Sequence, residues 1–249
     1  MQFSQIQPMR EYVWVSTTHR LVAFALAMGV TAIVSGPAVH GEARSNVAAG
    51  ALSGVARVID GDTISVGETR VRLEGIDAPE TAQTCQRRWI GWWACGTEAT
   101  AQLIKIIADK PVNCEPRGLD KYGRTLAVCF VDGRDINAQM VRQGYAWAFV
   151  KYSRSYVSEE AQARAEGLGI WQGEAMPAWE FRARRWAVAE SDAPQGCAIK
   201  GNVTKHGRIY HMPWSPWYVQ IKIEPEKGKR WFCTEAEAVA AGWRPVQTH

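Results

Sequence analysis

The six cysteines of this 249-residue chain include no Cys-x-x-Cys pair, which removes the close thiolate spacing of a structural zinc site. Strong charge of either sign is also missing, since 29 basic and 25 acidic residues leave a formal net charge of +4. A balance that mild suits a polyanionic partner without identifying one. The apolar stretch Leu21 to Ser35 falls short of the roughly 20 residues that cross a bilayer. No stable membrane span is therefore expected in the mature chain.

That stretch does match the apolar centre of a signal peptide. Arg10, His19 and Arg20 precede it, and small residues follow through Gly41 and Ala43. Residues 1–43 read as a signal peptide, which makes the protein secreted or periplasmic. The alternatives are a membrane anchor through an uncleaved N-terminal segment, or a buried core helix. Cleavage removes Arg10, Arg20, Glu11 and Glu42, two of each sign, so the charge is unchanged. Residues 44–54 read as a linker.

The chain is organised around Ile59 to Glu80. Asp60-Gly61-Asp62 is a tight-turn signal joining the apolar run Val55 to Ile59 to the run Thr63 to Val66. Gly67-Glu68 is the next turn, and in Thr69 to Leu73 the alternation puts Val71 and Leu73 on one face and Arg70 and Arg72 on the other. Three short strands meander antiparallel. Their ends carry Asp60, Asp62 and Asp77, with Glu80 three residues further on. Clustered carboxylates repel unless a cation or an arginine offsets them, and hard oxygen ligands suit calcium or magnesium. Each fragment alone also fits a solvated turn or a helix start.

A second piece lies forty residues on, where Asp120-Lys121-Tyr122-Gly123-Arg124 delivers an arginine ahead of the strand-like run Thr125 to Val131. In order along the chain, VIDGDT (Val58 to Thr63), RLEGIDAPE (Arg72 to Glu80) and DKYGR (Asp120 to Arg124) resemble the motifs of the staphylococcal nuclease-like, or thermonuclease, domain. The resemblance covers about Val55 to Trp186. It implies an α+β fold, a five-stranded OB-fold barrel with helices packed on it. It also implies a calcium-dependent endonuclease acting on DNA and RNA, single-stranded or locally melted, and leaving 3′-phosphates. By motif position Asp62 and Asp77 become calcium ligands, with the Ala78 carbonyl beside them. Glu80 takes the general-base position, Arg72 and Arg124 hold phosphate, and Lys121, Tyr122 and Tyr152 contact the nucleotide.

Those residue types suit that chemistry. A glutamate base contributes about 10²- to 10⁴-fold, and an arginine fork grips two phosphoryl oxygens as lysine cannot. The competing class is a non-catalytic OB-fold module that only binds an oligonucleotide or an envelope polymer. A binding module has no reason to keep Asp62, Arg72, Asp77, Glu80 and Arg124 together.

Gln83 to Gly96 carries Cys85, Cys95 and three tryptophans, either a base-stacking wall of the cleft beside Arg87 and Arg88 or a disulfide-closed loop covering the barrel. Helices are expected over Thr97 to Asp109, from an Asp135 cap through Gln143, and from Ser158 to about Gly167. The nuclease-like domain is expected to span 55–186 and a linker 187–196. Residues 197–249 then form a small C-terminal module stabilised by a disulfide. The spacings suggest Cys85 with Cys95, Cys114 with Cys129 and Cys197 with Cys233, although six cysteines allow fifteen pairings. The tail patterns KGN, IYH-x-P and WFCTEAEAVAAGWR resemble a small module found beside nuclease-like domains in bacteria. Its aromatics form either a core or a binding face, and an envelope ligand is a further candidate partner.

Overall fold

A computed structural model describes residues 52–89 and 91–246. The expected signal peptide at 1–43, and residues 44–51 of the expected linker, lie outside the described residues. Residues 52–246 fall within one compact unit. No helix among the described residues is long and apolar enough to cross a membrane.

Five strands close a barrel. β1 (Leu52–Asp60), β2 (Thr63–Val66) and β3 (Thr69–Leu73) form the antiparallel meander. β4 (Pro111–Leu119) pairs antiparallel with β1 and with β5 (Thr125–Val131), and β5 runs parallel to β3 with Arg72 opposite Leu126. β1 begins within the expected linker. The inward face of this barrel carries Ile64, Val71, Leu73, Val112 and Ala127, all fully buried. Each large aliphatic side chain so buried contributes about 1.5–3 kcal/mol.

Helix α1 (Cys95–Ile107) lays Ala99, Leu103 and Ile107 against the barrel and ends at Ala108 in the left-handed region. The spacing of four between those residues makes one apolar stripe. Helix α2 (Ile136–Arg142) starts where Asp135 accepts the Ala138 N–H at 2.9 Å, as the sequence implies. Helix α3 (Val157–Glu166) stops at left-handed Gly167.

Helix α4 (Ala178–Asp192) runs straight through residues 187–192, which the composition had assigned to a linker. Ala, Val and Glu are adequate helix formers, and Ala189 finds a buried contact with Ala198 and Tyr218 of the tail. The tail then folds as β6 (Ile199–Thr204), β7 (Gly207–His211) and β8 (Arg230–Phe232), helix α5 (Glu235–Ala240) and β9 (Arg244–Pro245). Its core is Ile199, Tyr210, Phe232, Ala238 and Trp243, with Trp186 of α4 packed on it. Thr234 caps α5 by accepting the Glu237 N–H at 3.1 Å. Cys197 and Cys233 are joined across 36 residues, a closure that stabilises so small a sheet by about 4 kcal/mol in the chain-entropy view. The other two disulfides are Cys85 with Cys95 and Cys114 with Cys129, so all three pairings match expectation.

Candidate active site

The turn between β1 and β2 positions the first acid. Gly61 packs so closely there that a Cβ would lie 2.7 Å from that of Ala78. This contact holds the Asp62 loop against the Asp77-Ala78 segment. Asp62 Oδ2 accepts the Ala78 N–H at 2.8 Å, and its Oδ1 accepts Arg72 Nη1 at 2.6 Å. Ala78 thus meets Asp62 through its amide, whereas the expectation concerned its carbonyl. Asp77 lies in a two-residue strand paired with Trp147 and Ala148, and it is fully buried. Arg72 Nη2 reaches Asp77 Oδ1 at 2.6 Å. One guanidinium therefore bridges the two aspartates, as clustered buried carboxylates require.

A second arginine, which no motif in the sequence marks, meets Asp77 and Glu80. Arg182 of α4 donates to Asp77 Oδ1 and Oδ2 at 3.0 and 2.8 Å and to Glu80 Oε1 at 2.7 Å. It arrives from 105 residues away, and the run WEFRARRW around it carries no motif beyond a basic helix. The expected offset to the acids is thus supplied by two arginines of the chain itself.

Burial pushes the Glu80 carboxyl up to about 7, with Asp60 adding to the rise and Arg182 opposing it. Burial also pushes Asp62 upward, against Arg72 and the Ala78 amide. For Arg72 and Arg182 desolvation acts to lower the pKa, but the facing carboxylates outweigh it and hold both above the ordinary arginine value. The Glu80 loop is fixed on its other side by buried Gln83, whose Oε1 accepts the Glu80 N–H at 3.2 Å and whose Nε2 donates to the Met176 carbonyl at 2.5 Å.

Arg72, Glu80 and Arg182 open onto a cleft of about 680 Å³ that also takes in Lys121, Tyr122, Arg124 and Tyr152. Arg124 is held by its own turn: Asp120 accepts its Nε at 2.6 Å and its backbone N–H at 2.9 Å. Lys121 lies over the Tyr122 ring at 4.7 Å, and Tyr152 is 70% exposed beside Phe149, which stacks on Trp179. Arg70, on the outward face of β3, lines the same cleft, and its Nε is buried without a hydrogen-bond partner among the described residues. Every residue assigned from the sequence thus lies in one place, Asp62, Asp77 and Ala78 behind the cleft and the others along it.

The tryptophan loop does not form a cleft wall. Its strands Cys85–Arg87 and Gly91–Trp93 make a hairpin closed by the Cys85–Cys95 bond, with Trp93 buried under Arg87 and Trp89 and Trp92 exposed to solvent. None of the three tryptophans lines the cleft. Of the tail histidines, His206 is exposed in a turn, while His211 is buried with Nδ1 3.2 Å from Ser215 Oγ.

Asp62 and Asp77 offer oxygen donors alone, the type that hard divalent cations take. Among the described residues no group of three or more His, Cys, Asp or Glu is gathered to hold a metal, and Arg72 and Arg182 engage the aspartate oxygens. The donor set fits such a cation by chemistry, and one binding both aspartates competes with Arg72 for Asp62 and Asp77 and with Arg182 for Asp77.

The sequence model of the staphylococcal nuclease homologue family matches residues 70–173, and that of the ArfC family matches residues 183–245. The chain is 36% identical over 141 residues to the succinoglycan biosynthesis protein ExoI of Rhizobium meliloti (strain 1021), covering 55% of this chain and 74% of that protein. It is 36% identical over 124 residues to an uncharacterized endonuclease of Haemophilus influenzae, covering 47% and 64% of the two chains. It is 34% identical over 146 residues to the micrococcal nuclease of Shigella flexneri, covering 51% and 78%. The chain belongs to the staphylococcal nuclease homologue family, and with it to the endonuclease class of hydrolases. Membership implies dependence on a divalent metal in general.

Proposed function

We propose that this chain is an exported, calcium-dependent endonuclease that hydrolyses phosphodiester bonds in DNA and RNA and leaves 3′-phosphates. The observation that carries this reading is the meeting of Glu80, Arg72 and Arg124 on one cleft with Asp62 and Asp77 buried behind Arg72. Asp62 and Asp77 would hold calcium, which when bound polarises a phosphoryl oxygen and its own water.

The chain's residues account for the remaining chemistry. Glu80 keeps Oε2 outside its contact with Arg182 and takes the proton of the attacking water. A carboxylate whose proton affinity has risen toward neutrality is matched to that task. The water oxygen bonds to phosphorus, the bond to O5′ breaks, and the leaving oxygen picks up a proton from solvent. Arg72 uses two of its five N–H donors on the aspartates, and the others face charge as it builds on the phosphoryl oxygens. Arg124, anchored through its Nε, presents the end of its fork to the same group. Lys121, Tyr122 and Tyr152 line the path of the strand. Three disulfides suit the oxidising compartment that export would reach.

The test is hydrolysis of single-stranded DNA by the oxidised chain with calcium and with chelator, beside Glu80→Gln. Activity that needs the metal and drops at least about 10²-fold in the variant is expected. A wild-type chain that binds DNA yet leaves it intact with every divalent metal would replace this reading with the non-catalytic binding module.

A further inference from the structure

Resting on that reading of the cleft, we propose that the C-terminal module is the second wall of the substrate site, where Trp214 stacks a base of a single-stranded oligonucleotide. The cleft of about 680 Å³ has the barrel residues Arg70, Lys121 and Arg124 on one side and Tyr210, Met212 and Trp214 of the module on the other. The two walls differ in chemistry. The barrel side carries the three cations, which suit phosphates, together with the acids Asp60, Glu74 and Glu80 and the rings of Tyr122 and Tyr152, whereas the module side adds aromatic and apolar faces that suit bases. Glu235 lines the cleft on the module side and accepts the Tyr210 hydroxyl.

The wall is fixed in place by α4. Arg182, Arg185 and Trp186 stand at positions i, i+3 and i+4, one face of a helix. Arg182 grips the acids, Arg185 Nε donates to the Pro213 carbonyl at 3.1 Å, and Trp186 packs 6.3 Å from Trp214 between ring centres. The Ser215 N–H closes the loop on the Met212 carbonyl at 2.8 Å, and buried His211 and Ser215 secure its base. Trp214 is therefore held at a set position relative to Glu80, which is what a stacking platform needs. A cleft this size lies in the range of enclosed ligand sites, about 300–1,000 Å³, and admits a few unstacked nucleotides. In a duplex the bases are already paired and stacked on one another, so none is free to lie on the Trp214 ring.

The experiment is binding of a fluorescently labelled eight-residue oligothymidylate, and of a duplex of equal length, to the full oxidised chain in chelator, where no strand is cut. Trp214→Ala is expected to weaken single-strand binding about 10-fold, the worth of one base–indole stack, with duplex binding weak in both proteins. Trp214→Phe, which keeps a stacking face, should recover most of the loss, and its melting curve controls for folding. Equal single-strand affinity in wild type and Trp214→Ala, or wild-type binding of the duplex as tight as of the single strand, would overturn the proposal. Binding that depends on Trp214 in a chain that never cleaves DNA would remove the nuclease reading and leave this one standing. Cleavage with no effect of Trp214→Ala on binding would do the reverse.

Discussion

Replacing Arg182 by methionine removes a charge while keeping a long, helix-compatible side chain. Asp77 is fully buried and loses two of its three arginine contacts, and Glu80 loses one. Breaking a buried ion pair from one side costs about 3–5 kcal/mol. The lower end applies here, about 3 kcal/mol, because Arg72 remains 2.6 Å from Asp77. For a chain of this size each kcal/mol moves the melting temperature by about 2–4 °C, so melting in chelator should fall by about 6–12 °C.

Calcium should then act in the opposite sense. In the wild type a cation on Asp77 has to displace the Arg182 guanidinium, and in Arg182→Met it does not. Calorimetric titration should show tighter calcium binding in the variant, by about 10²-fold if the whole 3 kcal/mol is recovered. The rise of melting temperature on adding calcium should be correspondingly larger. An unchanged melting temperature in chelator would show that Arg182 does not offset the buried acids. Weaker calcium binding in the variant would show that it does not compete for them.

Gly96→Ala should damage the site through the backbone, since its Cβ would sit 1.7 Å from the Glu80 carbonyl oxygen. Overpacking of this kind costs about 1–3 kcal/mol, and a shift of Glu80 by about 1 Å should lower kcat by about 10²-fold; melting curves and kinetics with wild-type values would refute the close approach. Acid should loosen the tail module, because burial holds the His211 imidazole down to about 4 against an ordinary 6.5. The folded state then binds fewer protons than the unfolded state between those values, so this stability is full above about pH 6.5 and is lost as the pH falls toward 4. His211→Gln should shrink the drop in melting temperature between pH 7 and pH 4.5, and an identical drop in the variant would assign the acid sensitivity elsewhere.

Much of this molecule follows from local rules. The Asp60-Gly61-Asp62 turn, the alternation of Arg70 and Arg72 with Val71 and Leu73, the Asp135 and Thr234 caps and the Gly167 stop each depend on neighbours a few residues away. Period, capping and turn chemistry act over that range, so they are readable in a linear chain. Motif order placed the acids and arginines, and the even, well-spaced cysteines suggested their partners. Tertiary structure alone decided the rest. Arg182 reaches Asp77 because the start of α4 packs through Trp179 on Trp147 and Phe149, making a long-range ion pair that no spacing announces. Residues 187–192 are helical because the tail buries Ala189, although their composition resembles a linker. Trp89 and Trp92 turn to solvent while Trp214 faces the cleft. Side chains of one type separate in this way because burial and facing charge belong to the packed surface, not to the residue, and desolvation is settled only when distant segments meet.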